Sequence, residues 1–299
     1  MKKRKNKRRQ REERAAYGML APFFAFFSVF MLYPIVINFY YSFTNYRLGQ
    51  KKQFVWLNNY KNLFKDPDFL VSLKNTAVYA LFSVLFLTCL GLFISVILNR
   101  RTRMVHAVRT VMIIPYATSM VAVSMIWLLL LDPTTGFINK ALIALGMNVP
   151  PKWLHDVKLA LPSLIFINVW KNLGYVMLIY LSGLQNIPGE LYEAATVDGA
   201  GLWHKFRRIT LPMIAPTAFF VLITTSIEAF KTFEQVQIMT QGAPVNATST
   251  VVYQIYQRAF NDYRMGYAGA MSVVLFLVIL AVTLVNVFWM KKNEEKNIW

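Results

Sequence analysis

The apolar residues of the chain are concentrated in six long stretches, separated by shorter polar segments. The stretches cover about 17–43, 76–98, 110–131, 159–184, 211–230 and 266–290. An α-helix rises about 1.5 Å per residue, so about 20 apolar residues cross a hydrocarbon layer about 30 Å thick. The first stretch is too long for the core of a cleaved signal peptide. The pattern therefore predicts an all-α, multi-pass membrane protein with a bundle of about six transmembrane helices.

Composition supports this class of protein. The chain is 56% hydrophobic and only 15% charged, whereas a soluble domain carries roughly 25% charged residues. The net charge of +18 is concentrated at the ends and between the apolar stretches, most densely in 1–16. This segment lacks interleaved aromatic residues and any nucleic-acid-binding module, so the charge indicates lipid headgroups and not nucleic acid. The single cysteine, Cys89, lies in an apolar stretch, where we expect a small buried core residue.

The distribution of lysine and arginine predicts the orientation in the membrane. If the N-terminus is cytoplasmic, the inner segments carry more than twice the density of Lys and Arg found in the outer segments. Both termini are therefore predicted to be cytoplasmic. The expected organisation is a polybasic tail over 1–16, a transmembrane domain over 17–290 and a second tail over 291–299. The polybasic tail is a topology signal, which we favour, or a contact for lipid or for an ATPase. The expected location is the cell membrane of a bacterium.

Signatures of catalysis are missing from the sequence. No glycine is followed by lysine, so the chain has no phosphate-binding loop of the Walker type. The three histidines do not fall in a metal-ligand pattern, and no nucleophile-elbow motif occurs. We therefore expect no catalytic residue, no metal site and no cofactor bound by this chain. Ionisable residues inside the spans are few, with Lys171 in the fourth and Glu228 in the fifth, which disfavours a proton-driven transporter.

The inner segment between the fourth and fifth spans, 187–212, is predicted to form a helix–turn–helix. Pro188 can begin a helix because its missing N–H would be unpaired there, and Glu190 then lies in the first turn. The sequence from Asp198 to Gly201 predicts a break. A second short helix should follow over about 202–209. On these grounds alone the segment is either an ordinary loop between two spans or a surface that docks on a partner.

The same segment resembles the EAA loop of binding-protein-dependent ABC permeases. The matching motifs are Glu193-Ala194-Ala195, Asp198-Gly199-Ala200 and Ile209-x-Leu211-Pro212. In that family the loop couples the permease to a cytoplasmic ATPase. The resemblance implies that the ATPase contacts here are Glu193, Ala194, Ala195, Asp198 and Gly199.

Further motifs resemble the sugar-permease subfamily, specifically the N-terminal-type partner of a permease pair of the maltose and glycerol-phosphate type. They include Tyr33-Pro34, the segment 57–64, and Thr240-x-Gly242-Ala243-Pro244, in which Ala243 departs from the family's second glycine. The resemblance implies a type I ABC importer fold and a second, non-identical permease subunit. It also implies a cytoplasmic ATPase dimer that binds ATP and Mg²⁺, an extracytoplasmic solute-binding protein, and import of a sugar, polyol or sugar phosphate.

Polar and aromatic residues within the spans are candidates for the solute pathway, because a sugar needs hydrogen-bonding groups and aromatic faces. The candidates are Tyr116, Ser119, Trp170, Asn172, Tyr175, Thr225, Glu228 and Thr232. The alternative for each is routine packing within a membrane bundle. At the level of the whole protein, the alternatives are a secondary transporter or channel that works without an ATPase, and a membrane-anchored structural or receptor protein.

Overall fold

The computed structural model of the chain describes residues 2–100 and 102–297, so the ends of the predicted tails 1–16 and 291–299 lie outside the described residues. Three five-residue π-helical turns occur at Ser28–Leu32, Phe206–Thr210 and Gln257–Asn261. The α-helices in chain order are α1 Lys2–Phe27, α2 Tyr33–Ser42, α3 Asn58–Leu63, α4 Pro67–Ile97, α5 Arg103–Ala117, α6 Met120–Leu130, α7 Phe137–Ala144, α8 Ala160–Gln185, α9 Gly189–Val197, α10 Leu202–Lys205, α11 Leu211–Phe230, α12 Glu234–Met239, α13 Val251–Tyr256 and α14 Met265–Asn297.

The helical fold predicted from the apolar stretches is confirmed. Within the described residues, five helices are long and apolar enough to cross a membrane, and a sixth span results if the bent pair α5 and α6 is taken together. The five are Ala16–Ser42, Pro67–Ile97, Ala160–Gln185, Leu202–Met239 and Met265–Met290. Several begin earlier than the apolar stretches suggest. In α4, for example, Asp66 accepts a hydrogen bond from the backbone N–H of Asp68 as the N-cap.

The third span is not the continuous helix that the sequence predicts over 110–131. The structure breaks it after Ala117, and α5 and α6 meet at an angle of 98°. Thr118 and Ser119 have extended backbone conformations, and the Thr118 hydroxyl donates to the carbonyl of Pro115 at 2.6 Å. Threonine and serine hydroxyls that bond nearby carbonyls compete with helical hydrogen bonds. The uniformly apolar composition of the stretch conceals this local preference.

The chain divides into two compact units, and the larger contains 65–256 and 274–297. In it, α8 packs against α4, α5 and α11, while α6 packs against α12. Close approach of these helices depends on glycine. A Cβ at Gly91 of α4 would lie 2.5 Å from Val176, and one at Gly174 of α8 would overlap the carbonyl oxygen of Met112 in α5. Small residues allow the backbones of membrane helices to come together in this way.

Hydrogen bonds fasten the segment after α12 to α4 within this unit. The side-chain amide of Asn75 donates to the carbonyls of Asn246 and Ser249. The Thr76 hydroxyl accepts the backbone N–H of Val251, the first residue of α13. These residues of α4 are buried, so their polar groups stabilise the fold only because each has a partner.

The smaller unit contains 2–64 and Gln257–Val273. Its polar core surrounds the end of α2, where the amide of Asn59 donates to the carbonyls of Ser42 and Thr44. The Tyr60 hydroxyl donates to the Ser42 hydroxyl. Gly266, near the start of α14, lies so close to the Thr44 carbonyl that a Cβ would overlap it.

The expectation for Cys89 is wrong. Cys89 is a free cysteine on an exposed position of α4, whereas Leu87 of the same helix is buried. In a span that is apolar on all sides, hydrophobicity does not distinguish the face that packs on other helices from the face that lipid or another subunit covers. The sequence therefore could not place Cys89.

Candidate functional site

The segment between α8 and α11 forms a helical hairpin of α9 and α10. Pro188 precedes α9 with an extended backbone, and Gly199 ends it with a φ of +75°. The N–H of Ala200 donates to the carbonyl of Ala195, and that of Gly199 donates to the carbonyl of Thr196. This pair of bonds is a Schellman motif, which requires a left-handed residue that glycine adopts without strain. The break predicted at Asp198–Gly201 is therefore present, and the backbone of Gly199 produces it.

Two side-chain hydrogen bonds connect α9 to the rest of the hairpin. The hydroxyls of Tyr192 and Thr210 lie 2.9 Å apart, and Thr210 is buried just before α11 begins. The ammonium group of Lys205 in α10 donates to the Thr196 hydroxyl at 2.8 Å. Movement of α9 would therefore be transmitted to the base of α11 through direct contacts.

The tip of the hairpin is apolar and exposed. Val197, Leu202 and Trp203 have 88%, 87% and 71% of their surface exposed. The structure also exposes four of the five predicted coupling residues, Glu193, Ala194, Asp198 and Gly199, while Ala195 is half-buried. Apolar groups exposed together among polar residues mark a surface that another protein covers.

The second helix of the hairpin does not end where the sequence predicts. Instead of stopping near 209, α10 continues through the π-helical turn Phe206–Thr210 directly into α11. Pro212 lies in the first turn of α11 and cannot donate a backbone hydrogen bond. A local π-helical turn is a common adjustment where regular pairing within a helix is interrupted. As a result, the second helix of the hairpin and the fifth span form one continuous helix.

A cavity of about 680 Å³ lies in the same unit, between α5, α8, α11 and the segment leading into α12. Its volume falls in the range typical of small-molecule sites. The lining residues are Leu87, Tyr116, Met120, Asn168, Lys171, Asn172, Tyr175, Val176, Thr224, Thr225, Ile227, Glu228, Ala229, Lys231, Thr232, Phe233, Glu234 and Gln235. The wall thus combines amides, hydroxyls and charges with aromatic rings.

Two tyrosines form an aromatic platform in the cavity wall. The rings of Tyr116 on α5 and Tyr175 on α8 stack with centroids 4.3 Å apart and planes 6° from parallel. The ammonium group of Lys171 lies 5.4 Å from the centroid of the Tyr116 ring and donates to the Tyr116 carbonyl at 3.2 Å. Because Tyr116 lies in the last turn of α5, a cation here is favoured by the helix dipole. The break in the third span thus creates the acceptor for a buried lysine.

Six of the eight predicted pathway residues line this cavity: Tyr116, Asn172, Tyr175, Thr225, Glu228 and Thr232. Ser119 and Trp170 do not. Ser119 is the residue with extended backbone that precedes α6. Trp170 packs edge-on against Trp127, with ring centroids 5.4 Å apart, so its ring is engaged in packing at this site.

Sequence reasoning missed Asn168 as a lining residue and did not include Lys171 among the pathway candidates. Both lie on one side of α8 with the predicted Asn172 and Tyr175, because the four positions follow the i, i+3, i+4, i+7 spacing of one helix face. This spacing was available in the sequence. Gln235 is different, because it follows the fifth span and is buried by tertiary contacts. It accepts from the Tyr79 hydroxyl at 3.0 Å and donates to the Leu164 carbonyl at 2.7 Å.

The charges of the cavity wall are not equivalent. Glu228 and Lys231 form an ion pair at 3.1 Å, one turn apart at the end of α11. The structure records no salt bridge between Lys171 and any carboxylate among its described residues. Lys171 therefore does not pair directly with Glu228.

A helical membrane bundle with a polar cavity beside a broken span, and an exposed hairpin continuous with another span, is the architecture of a membrane transport subunit. Comparison with protein families is specific about the class. Residues 87–291 match the family described as binding-protein-dependent transport system inner membrane component. The chain belongs to this family.

Individual relatives agree with the family. A probable ABC transporter permease of Pyrococcus horikoshii is 32% identical over 93% of this chain and 96% of its own length. The arabinooligosaccharides transport system permease protein AraP of Bacillus subtilis is 34% identical over 91% of this chain and 87% of its own. Among solved structures, one chain of a bacterial alginate ABC transporter, in complex with an alginate pentasaccharide-bound periplasmic protein, superimposes with a TM-score of 0.82. It is 26% identical and covers 92% of this chain and 93% of that chain.

Proposed function

We propose that this chain is a permease subunit of an ATP-driven importer that moves a sugar or a sugar-like solute across the bacterial inner membrane. The observation that carries the proposal is the exposed hairpin of α9 and α10, whose apolar tip requires a protein partner and whose second helix continues into α11. The cavity then provides the path for the solute. The family membership supports the same function.

The partner of the hairpin is a cytoplasmic ATPase dimer, which binds the ATP and Mg²⁺ that this chain has no motif to bind. Glu193, Ala194, Asp198 and Gly199 provide its polar and backbone contacts, together with the exposed apolar tip. A change in the ATPase would displace α9, and the bond from Tyr192 to Thr210 would carry that displacement to α11. Rigid-body movement of packed elements is a common way of converting a local displacement into a large change of access.

The remaining partners complete the pathway. The spans carry exposed apolar residues, such as Phe82 and Leu129, which a second permease subunit and lipid would cover. An extracytoplasmic binding protein delivers the solute, as the complex of the alginate transporter with its periplasmic protein illustrates. In this proposal both termini of the chain are in the cytoplasm, on the same side of the membrane as the hairpin and the ATPase.

Sugars fit the cavity for a chemical reason. A pyranose or furanose ring presents hydroxyls around its rim and C–H groups on its faces, so it requires both hydrogen-bonding groups and aromatic surface. The tyrosine platform and the amide and hydroxyl groups of Asn168, Asn172 and Thr232 supply them. Two proteins similar to this chain, an arabinooligosaccharide transport permease and an alginate transporter, act on solutes of the same chemical class.

Co-purification tests the proposal. The full-length chain is tagged, expressed in its native host and extracted in mild detergent, and its partners are identified by mass spectrometry. We expect a P-loop ATPase and a second permease. Glu193→Lys should reduce the recovered ATPase at least about tenfold, corresponding to about 1.4 kcal/mol of binding free energy.

The matched control is Asp156→Lys, which makes the same change of charge at an exposed carboxylate outside the hairpin and should leave recovery unchanged. If the chain purifies without an ATPase, the importer function is refuted. A purified chain that moves solute alone in liposomes under an ion gradient would establish the secondary transporter in its place.

A further inference from the structure

Lys171 is a buried cation whose hydrogen-bonding capacity is mostly unused. Only 7% of its surface is exposed, yet its recorded hydrogen bond is the single one to the Tyr116 carbonyl. An ammonium group has three donors and no acceptor. Because Lys171 lines the cavity, its remaining donors are available to a molecule that occupies it. A charge at this depth in a span is costly and marks a functional site by default.

The same cavity is also lined by a carboxylate, that of Glu234. Glu234 begins α12, is exposed and lines the cavity with Lys171. The two side chains line the same cavity and form no salt bridge with each other within the part of the chain that the structure describes. Glu228, the other carboxylate of the wall, is already neutralised by Lys231. Of the four charges in the wall, Lys171 and Glu234 are therefore the two that remain available to a solute.

We propose that Lys171 and Glu234 select an uncharged polyhydroxyl solute. Lys171 donates a hydrogen bond to an oxygen of the solute, and Glu234 accepts one from a solute hydroxyl. This proposal rests on the proposed function and specifies its substrate class. An anion that approaches Lys171 is repelled by Glu234, and a cation that approaches Glu234 is repelled by Lys171. A hydroxyl donates and accepts, so it satisfies both residues at once. The solute is thus closer to a neutral oligosaccharide than to an acidic one such as alginate.

Cysteine labelling measures the charge preference of the cavity without any transport assay. Thr224 lines the cavity, and its hydroxyl bonds only to carbonyls of its own helix, those of Phe220 and Val221. Thr224→Cys is made in a Cys89→Ser background. Its reaction rates are measured with three methanethiosulfonate reagents of similar size, bearing a hydroxyl, a trimethylammonium or a sulfonate group. Each rate is divided by that of the same reagent with a free thiol in solution.

The neutral reagent is expected to have the highest normalised rate. Lys171→Met should raise the normalised rate of the cationic reagent and lower that of the anionic one, each by about three- to tenfold as expected for one charge at short range. Glu234→Gln should do the opposite. Lys140→Met, outside the cavity lining, should change neither rate. Where Lys171→Met fails to fold, Lys171→Arg retains the charge and should preserve the wild-type order of rates.

Two results would overturn the proposal. A sulfonate reagent that reacts fastest, and loses that advantage in Lys171→Met, would show a cavity for anions. If each variant changed the normalised rates of the three reagents by the same factor, Lys171 and Glu234 would not face the solute. Protection gives the second arm: maltotriose should slow the labelling and an alginate trisaccharide should not, and the reverse order contradicts the proposal. Labelling needs no ATPase. A labelling result that contradicts the role of Lys171 and Glu234 is therefore distinguishable from a co-purification result that contradicts the importer function.

Discussion

The hairpin and the cavity are two candidate functional regions of the same unit, and they are built differently. The hairpin is one continuous segment, and its shape follows from bonds between residues at most 18 positions apart, such as Tyr192 and Thr210. The cavity assembles residues from Leu87 to Gln235, contributed by helices that meet only in the folded bundle. A local motif tolerates changes in side-chain volume, because it is surrounded by solvent or by a partner. A cavity wall between packed helices does not.

The largest expected effect of a small substitution is at Gly174. In Gly174→Ala the added methyl would overlap the carbonyl oxygen of Met112, so α5 and α8 must separate and the contact of Lys171 with Tyr116 is lost. Overpacking of this kind costs about 1–3 kcal/mol and sometimes more. We expect a clear fall in melting temperature and loss of uptake in cells.

The matched substitution in the hairpin is Gly189→Ala. A Cβ there meets nothing within 4 Å, and Gly189 is in the first turn of α9, where alanine is a better helix former. Its melting temperature and uptake should equal those of the wild type. If both substitutions lowered the melting temperature and the uptake equally, the proposed difference between a packed cavity wall and an open hairpin would be wrong.

Gly199 should be the exception within the hairpin, with an intermediate effect. Its Cβ position is also open, but its φ is +75°, and a non-glycine residue there costs about 1–2 kcal/mol. Gly199→Ala should therefore weaken coupling, and Gly199→Asn should weaken it less, because asparagine tolerates the left-handed conformation. The measurement is solute-stimulated ATP hydrolysis by the purified complex. The variants compared are those that reach the membrane in equal amounts.

The control for this series is Gly201→Ala, where the backbone φ is −70° and the space is equally open. It should retain full activity. If Gly199→Ala and Gly199→Asn are equally inactive, the requirement is for the absence of a side chain at a partner's surface, and the backbone explanation fails.

The same contrast explains what the sequence could predict. The spans, the hairpin and the break near Gly199 could be predicted because each depends on neighbouring residues, and six cavity residues could be chosen by chemistry alone. The break after Ala117 could not, since an apolar composition predicts one straight span. The continuity of α10 with α11 was also missed, because prolines at a helix start usually indicate a new helix. Gln235 lies outside the apolar stretches and is placed only by its contacts with Tyr79 and Leu164.

The smallest expected effect comes from the bond that joins the hairpin to the fifth span. Tyr192→Phe removes the hydroxyl that meets Thr210 at 2.9 Å and keeps the ring. One hydrogen bond of this kind contributes about 0.5–1.5 kcal/mol. We expect assembly with the ATPase to be unchanged and uptake per ATP hydrolysed to fall, because α9 is less firmly connected to α11. Thr210→Val removes this bond and also the 3.5 Å bond from the Thr210 hydroxyl to the Lys205 carbonyl, so it should lower uptake at least as much. The double variant should be no worse than Thr210→Val alone, as expected when Tyr192 acts only through Thr210. Additive losses would show that the two side chains act independently, and that the displacement of α9 reaches the cavity by another route, such as the continuous helix of α10 and α11.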